Sequence, residues 1–150
     1  FILALFFFNK TNLKHFSYLL LSVSLLILFT DQFTNLIKYT VSRPRPCHEE
    51  DFQGLIRLVK ESCGGAYGYF SGHASNSFAL AFFFSRLLFK IKWLPFSLIL
   101  FAFLVSYSRI YIGVHYPLDV LSGVIVGSFS GYIGYSLWNK FIYNDSLENK

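Results

Sequence analysis

Three short polar clusters interrupt an otherwise apolar sequence, and their residue types suit one chemistry. The clusters are Lys38-x6-Arg45-Pro46, Ser71-Gly72-His73 and Ser108-Arg109-x5-His115-x3-Asp119. They supply fixed positive charges, a glycine where a helix could start, and two histidines, one of which has a carboxylate four residues later. Cations and helix N-termini bind phosphate oxygens, and histidine can act as a nucleophile or a proton donor. Together the clusters predict a site that binds a phosphate group and cleaves it without a metal.

The first cluster would place two cations next to the bound phosphate. Arginine can meet two phosphate oxygens at once through parallel N–H donors, and the prolines on both sides of Arg45 stiffen the chain around it. Arg43, which also precedes a proline, is a rival that could take the role of Arg45. The alternative interpretation is that Lys38 and Arg45 are cations at a helix end whose charged groups reach the membrane surface.

The second cluster follows a glycine-rich segment, residues 64–70, and lies where a helix could start. Ser71 is a suitable N-cap residue, and the free backbone N–H groups of a helix start bind anions. His73 would then lie beside the anion, where a proton donor for the leaving oxygen is needed. An ordinary loop and helix cap with a structural histidine is the alternative.

The third cluster is the most specific, because it pairs a histidine with an acid at helical spacing. Asp119 could accept the N–H of His115, fix the tautomer and leave the other ring nitrogen as a nucleophile. Arg109 would add a third cation for the transition state, with Ser108 in a supporting position beside it. The alternative for His115 is a packing role on an apolar segment.

The composition indicates an integral membrane protein. Of the 150 residues, 54% are hydrophobic, 21% aromatic and 14% charged, whereas a soluble domain carries about 25% charged residues. The net charge of +5 does not indicate a nucleic-acid partner, because the cations are scattered at the ends of apolar runs.

The apolar runs predict an all-α transmembrane helix bundle that forms a single domain over residues 1–150. A bilayer admits only helices and closed barrels, and these runs are too long for barrel strands. Phe1–Phe8 is interpreted as the tail of a truncated span, and residues 52–60 as a short amphipathic helix at the interface. Four full spans are expected at residues 16–38, 71–89, 93–112 and 118–138.

The alternation of these spans predicts that all three clusters lie on one side of the membrane. Lys38 ends one span and Ser71 begins the next, and the chain returns to the same side between Arg109 and Asp119. Short basic loops tend to be cytoplasmic. The opposite side carries slightly more cations, and several cations on the cluster side belong to the clusters, so the site is expected to face outward.

These motifs resemble those of the type 2 phosphatidic acid phosphatases, a family that shares its site with the vanadium-dependent haloperoxidases. The resemblance implies that His115 attacks phosphorus to form a phosphohistidine, that Asp119 orients His115, and that His73 protonates the leaving group. It also implies that the phosphoryl oxygens are held by Lys38, Arg45, Ser71, Gly72 and Arg109. Phe70 departs from the family pattern, which has a proline before the Ser-Gly-His motif. The change removes no reacting group, so activity is still expected.

Two further features are open to more than one interpretation. Cys47 and Cys63 are the two cysteines of the chain and both fall in the outward loop, where an oxidising compartment would permit a disulfide; two free thiols are the alternative. Asp31 lies inside the first span, where an ionisable group needs a partner. It is interpreted either as support beneath the site or as part of helix–helix hydrogen bonding together with Gln32 and Asn35.

The sequence therefore predicts a phosphatase that hydrolyses a membrane lipid phosphate or diphosphate without a metal or cofactor. Undecaprenyl diphosphate, phosphatidylglycerol phosphate, phosphatidate and lipid A phosphates all present the same reacting group. The expected partners are the lipid substrate and the bilayer, with no nucleic acid and no obligate protein partner. The expected location is a bacterial inner membrane, with the site facing the periplasm. The alternatives are a lipid phosphotransferase, a haloperoxidase and a non-catalytic lipid-phosphate binder.

Overall fold

Each long apolar run within the described residues forms a helix, and prolines, glycines and polar residues separate the runs. The computed structural model describes residues 13–52 and 62–148. Its α-helices are α1 (Leu13–Val41), α2 (Gly72–Leu87), α3 (Leu94–Tyr111) and α4 (Pro117–Glu148). Two short 3-10 helices, Pro46–His48 and Glu50–Phe52, follow α1. The described residues contain no β-strand, only an isolated bridge between Pro44 and Tyr67, and the expected all-α class is confirmed.

Three of these helices are long and apolar enough to cross a membrane: Leu13–Val41, Leu94–Tyr111 and Pro117–Phe141. The sequence predicted four, but α2 has only 16 residues. At 1.5 Å per residue it is about 24 Å long, shorter than the ~30 Å hydrocarbon core of a bilayer. The expected span at Phe1–Phe8 lies outside the described residues, as does nearly all of the expected amphipathic helix at 52–60.

The short helix α2 is the centre of the bundle. Leu19 and Leu26 of α1 pack against Ala79 and Phe83 of α2 in one buried cluster. A second cluster joins α2 to α3 through Phe78, Ala81 and Ala102. The outer faces of α1, α3 and α4 instead expose large apolar side chains such as Leu21, Phe101 and Phe129. This inside-out pattern is the one expected when lipid surrounds the longer helices.

Helices α2 and α4 touch backbone to backbone along one stripe of glycines. A Cβ atom added to Gly123, Gly127 or Gly131 would overlap, in turn, the carbonyl oxygens of Ser71, Ser75 and Ala79. The glycines recur every fourth residue and so lie on one face of α4. Small residues at this spacing let membrane helices approach closely. The contact brings the first turn of α4 against the start of α2, where two of the polar clusters lie.

Replacing Gly127 with alanine should destabilise this helix pair. The added methyl group would overlap the backbone of Ser75, which cannot give way without moving α2. We expect a loss of about 1–3 kcal/mol, as for other overpacked interiors, seen as a lower unfolding temperature in detergent.

The matched control is Gly134→Ala in the same helix, where the new Cβ would lie 3.3 Å from the flexible end of Leu26. This variant should be neutral or slightly stabilised, because alanine is the better helix former. Equal losses in the two variants would contradict the backbone contact as the cause.

Candidate active site

The side chain of Asp119 is fully buried, and both of its oxygens have partners. Oδ1 accepts from the guanidinium of Arg43 in an ion pair. Oδ2 accepts the backbone N–H of Tyr116 at 2.9 Å and lies 3.4 Å from Nδ1 of His115. Asp119 also lies in the first turn of α4, where the helix dipole favours negative charge. These contacts hold a carboxylate against the His115 ring.

His115 lies in the connection between α3 and α4 and is 4% exposed. Burial, followed by the positive charges of Arg45, Lys38 and His73, lowers the pKa of His115 to about 3, although a hydrogen bond with the Gly68 backbone acts in the opposite direction. The ring is therefore neutral at physiological pH. With Nδ1 directed at the carboxylate, Nε2 is the nitrogen that can attack an electrophile.

Lys38, near the end of α1, has its ammonium group next to Gly72, the first residue of α2. A Cβ atom added to Gly72 would lie 3.9 Å from Lys38 Nζ, so the absent side chain leaves room beside the ammonium group. Ser71 caps the helix, because its Oγ accepts the Ala74 N–H at 3.4 Å. The Ser71 N–H donates to the backbone carbonyl of Asp119 at 3.0 Å. A helix start beside a lysine is a suitable corner for an anion.

The two arginines of the first cluster have different partners. Arg45 donates from Nε to the carbonyl of Tyr67 at 3.2 Å and from Nη1 to the carbonyl of Cys63 at 3.0 Å. Burial lowers the pKa of Arg45. Arg43 pairs with Asp119 instead. The sequence treated Arg43 only as a rival to Arg45, and its contact with the acid was missed.

The loop that Arg45 binds is tied to the chain by a disulfide. Cys47 and Cys63 are bonded, with their Cα atoms 6.0 Å apart, which is the first of the two interpretations considered for these residues. Gly68, in the same loop, approaches both sides of the site. A Cβ atom added there would lie 3.3 Å from Arg45 Cγ and 3.3 Å from Asp119 Oδ2. The loop therefore covers the ion-paired acid and positions Arg45.

The remaining residues predicted for the reaction lie at the same ends of the helices. His73 is in the first turn of α2, close enough for its charge to lower the pKa of His115. Arg109 is in the last turn of α3, and its Nε donates to Ser108 Oγ at 3.1 Å. The described side-chain hydrogen bond of Arg109 thus lies within its own helix end, and its role at a phosphate stays a prediction.

The side chain of Asp31 is hydrogen-bonded to a residue of its own helix, α1. Its Oδ2 accepts from Asn35 Nδ2 at 3.4 Å. A hydrogen bond joins α1 to α2 one residue earlier in the chain, where Thr30 Oγ1 donates to Asn76 Oδ1 at 2.7 Å. Neither residue of that bond was singled out in the sequence. The placement of Asp31 beneath the site stays a prediction.

As a whole, the arrangement can bind an anion and attack it. Two cations and a helix start surround a neutral imidazole whose orientation a buried carboxylate fixes. Within residues 13–52 and 62–148, no group of three or more His, Cys, Asp or Glu side chains is placed to hold a metal ion. The side chains described above are of the types used in general acid, nucleophilic and electrostatic catalysis.

Comparison with known proteins finds a matching family and several similar sequences. A family model of the PAP2 superfamily matches residues 16–143. A lipid A 4'-phosphatase of Bacteroides thetaiotaomicron is 40% identical over 121 residues, which cover 79% of this chain and 53% of that protein. A lipid A 4'-phosphatase of Porphyromonas gingivalis is 37% identical over 134 residues, which cover 89% of this chain and 56% of that protein.

A shorter match is an undecaprenyl-diphosphatase of Sulfolobus acidocaldarius, 45% identical over 67 residues that cover 45% of this chain and 32% of that protein. The chain spans about half the length of the two lipid A 4'-phosphatases. No solved structure matches it.

The depressed pKa of His115 predicts that its ring does not titrate in the usual range. NMR of isotope-labelled histidine in detergent should show no midpoint for His115 between about pH 5 and 8, with the His115→Ala variant identifying its resonance. Because the unfolded chain binds a proton near pH 6.5 and the folded one only near pH 3, stability should fall as the pH decreases through that interval. A His115 midpoint near 6.5 would contradict the burial described above.

The disulfide predicts a redox-dependent stability. A reductant should lower the unfolding temperature, by the equivalent of about 3 kcal/mol for a loop of this size, because the unfolded chain gains freedom. The Cys47→Ser/Cys63→Ser double variant is the control, since it removes both cysteines of the chain. It should be less stable than the wild type and indifferent to reductant. A wild-type protein unaffected by reductant would contradict the stabilising role of the bond.

Proposed function

Because the chain belongs to the PAP2 superfamily, we propose that it is a membrane lipid phosphatase that works through a phosphohistidine intermediate. The observation that carries the proposal is the neutral, buried His115 held beside Asp119, where the charges of Lys38 and Arg45 converge. A neutral imidazole is a nucleophile. Fixed cations stabilise the charge that develops on the phosphoryl oxygens.

In the proposed first step, Nε2 of His115 attacks phosphorus. A P–N bond forms as the P–O bond to the lipid breaks, and the ring becomes positively charged. Asp119 keeps the Nδ1–H oriented while the new bond forms. His73, in the first turn of α2, donates a proton to the leaving oxygen, so that the lipid departs as an alcohol.

In the second step, water attacks the phosphohistidine. His73, now neutral, accepts a proton from the water, the P–N bond breaks, and inorganic phosphate is released. The proposed ligands of the phosphoryl oxygens in both steps are Lys38, Arg45, Ser71, Gly72 and Arg109. This assignment is supported by the position of Gly72 beside Lys38 and by the electrostatic effect of Arg45 on His115.

The substrate we propose is a phosphate group carried by lipid A. Two relatives that match over 79% and 89% of this chain are both named lipid A 4'-phosphatase. An undecaprenyl diphosphate is the second candidate, because a relative of that activity matches over a shorter stretch.

We further propose that the site faces the periplasm of a bacterial inner membrane. The Cys47–Cys63 disulfide lies at the same end of the bundle as the site, and disulfides persist in oxidising compartments such as the periplasm. The cation distribution favours the same orientation.

Replacing His115 with alanine should reduce phosphate release by at least about 1,000-fold, as for other nucleophiles that act within a catalytic unit. The matched control is His48→Ala, which removes an exposed histidine of the adjoining loop and should leave turnover near normal. Brief reaction with radiolabelled substrate should leave acid-labile, alkali-stable label on the wild type and none on His115→Ala. Normal turnover by His115→Ala would exclude it as the nucleophile.

A substrate panel on the whole protein should show the fastest phosphate release from lipid A, measured beside undecaprenyl diphosphate, phosphatidylglycerol phosphate and phosphatidate.

A chelator should leave the rate unchanged, because the proposed reaction uses protein groups alone. Vanadate should inhibit, since it mimics the five-coordinate phosphorus of the transition state. Release from undecaprenyl diphosphate alone would overturn the substrate assignment but not the chemistry.

A further inference from the structure

Arg43 is fixed in place by contacts on three sides. Its guanidinium pairs with Oδ1 of Asp119. Its Cζ lies 5.0 Å from the ring centre of Tyr69 and 4.9 Å from that of Tyr116, which is the range of cation–π contacts. Tyr69 is itself hydrogen-bonded to Ser122 of α4 at 3.1 Å. Tyr69 is thus hydrogen-bonded to α4, and Tyr116 directly precedes it in the chain. Both aromatic neighbours of Arg43 are therefore held at the start of the helix that carries Asp119.

We propose that Arg43 is a positioning residue for the phosphoryl transfer: it holds Asp119 through Oδ1 so that Oδ2 faces His115, and it cancels the carboxylate charge next to the nucleophile. This inference rests on the proposed function. Arginine suits the role because its planar, permanently charged group can stack on rings and pair with a carboxylate at once.

The charge balance around His115 explains why such a residue is needed. The titratable and charged groups that face the ring come from every element packed around it: Lys38 of α1, Arg45 of the loop, His73 of α2 and Asp119 of α4. The cations favour a neutral ring, whereas an unpaired carboxylate 3.4 Å from Nδ1 would favour a protonated one. A protonated imidazole has no lone pair to attack with. Arg43 supplies the positive charge that removes this conflict.

A direct contact of Arg43 with phosphate is the competing explanation. Its Nε is buried and has no hydrogen-bond partner among the described residues, so that atom could donate to a substrate oxygen. The two roles differ in their kinetics. A phosphate ligand contributes to substrate binding and its loss raises KM, whereas a positioning residue acts on the nucleophile and its loss lowers kcat.

The test is the Arg43→Gln variant, with Arg86→Gln as the matched control. Arg86 is also stacked on a tyrosine, Tyr132, at 5.4 Å, but lies in the last turn of α2, away from the acid. In Arg43→Gln we expect the His115 midpoint, followed by NMR, to rise by about 1–3 pH units. We also expect kcat to fall about 100-fold, the effect of a small misplacement, with KM nearly unchanged. Arg86→Gln should change none of these.

A second variant keeps the inference testable if Arg43→Gln fails to fold, because an unpaired buried carboxylate is strongly destabilising. Arg43→Gln/Asp119→Asn removes both charges. It should recover stability and return His115 to a low midpoint, while kcat stays low. The titration needs no turnover, so it tests Arg43 even if no lipid phosphate proves to be a substrate.

Three results would overturn the inference. The first is an unchanged His115 midpoint in a folded Arg43→Gln variant. The second is a raised KM with an unchanged kcat, which would assign Arg43 to phosphate binding. The third is full activity in the double variant, which would show that neither group positions the nucleophile.

Discussion

The site depends on one buried carboxylate. Asp119 accepts from the Arg43 side chain and the Tyr116 backbone, and its own backbone carbonyl accepts from Ser71. A residue of the third cluster thereby contacts Arg43, within the first cluster, and Ser71 of the second. Leaving a buried charge without its partner costs about 3–5 kcal/mol, so the chain after α1 and the start of α4 are energetically required to dock together. The Ser71–Asp119 backbone hydrogen bond joins the start of α2 to them.

This docking sets the electrostatic character of the site. Since the charge of Asp119 is taken up by Arg43, it does not cancel the charges of Lys38 and Arg45, which act on His115. The result is a buried neutral ring in a positive environment. A bound anion would supply the missing negative charge, and the same field that keeps the imidazole free of a proton would favour its binding.

The prediction that the polar clusters lie together agrees with the contacts at the end of α1 and the starts of α2 and α4, although it counted α2, which has only 16 residues, as a full span. The spacing of residues in the sequence could not assign separate roles to Arg43 and Arg45. Both precede a proline, and only tertiary contacts distinguish a partner for Asp119 from a partner for the loop carbonyls. The short length of α2 was also missed, since apolar residues continue beyond Leu87 where the helix ends. The glycines of α4 were visible as a four-residue repeat, a known packing signal, which the prediction did not use.

The glycine stripe of α4 also restricts the directions from which a ligand could reach the site. Helices whose backbones touch leave no gap for an acyl chain, so the α2–α4 side acts as a closed back wall. Between α1 and α4 there is instead an apolar groove of about 660 Å³, and one of the residues that line it, Phe33, packs against Phe70 beside the Ser71 cap. A ligand that followed this groove would reach the start of α2 from the side of α1, with the glycine-packed wall of α2 and α4 behind it.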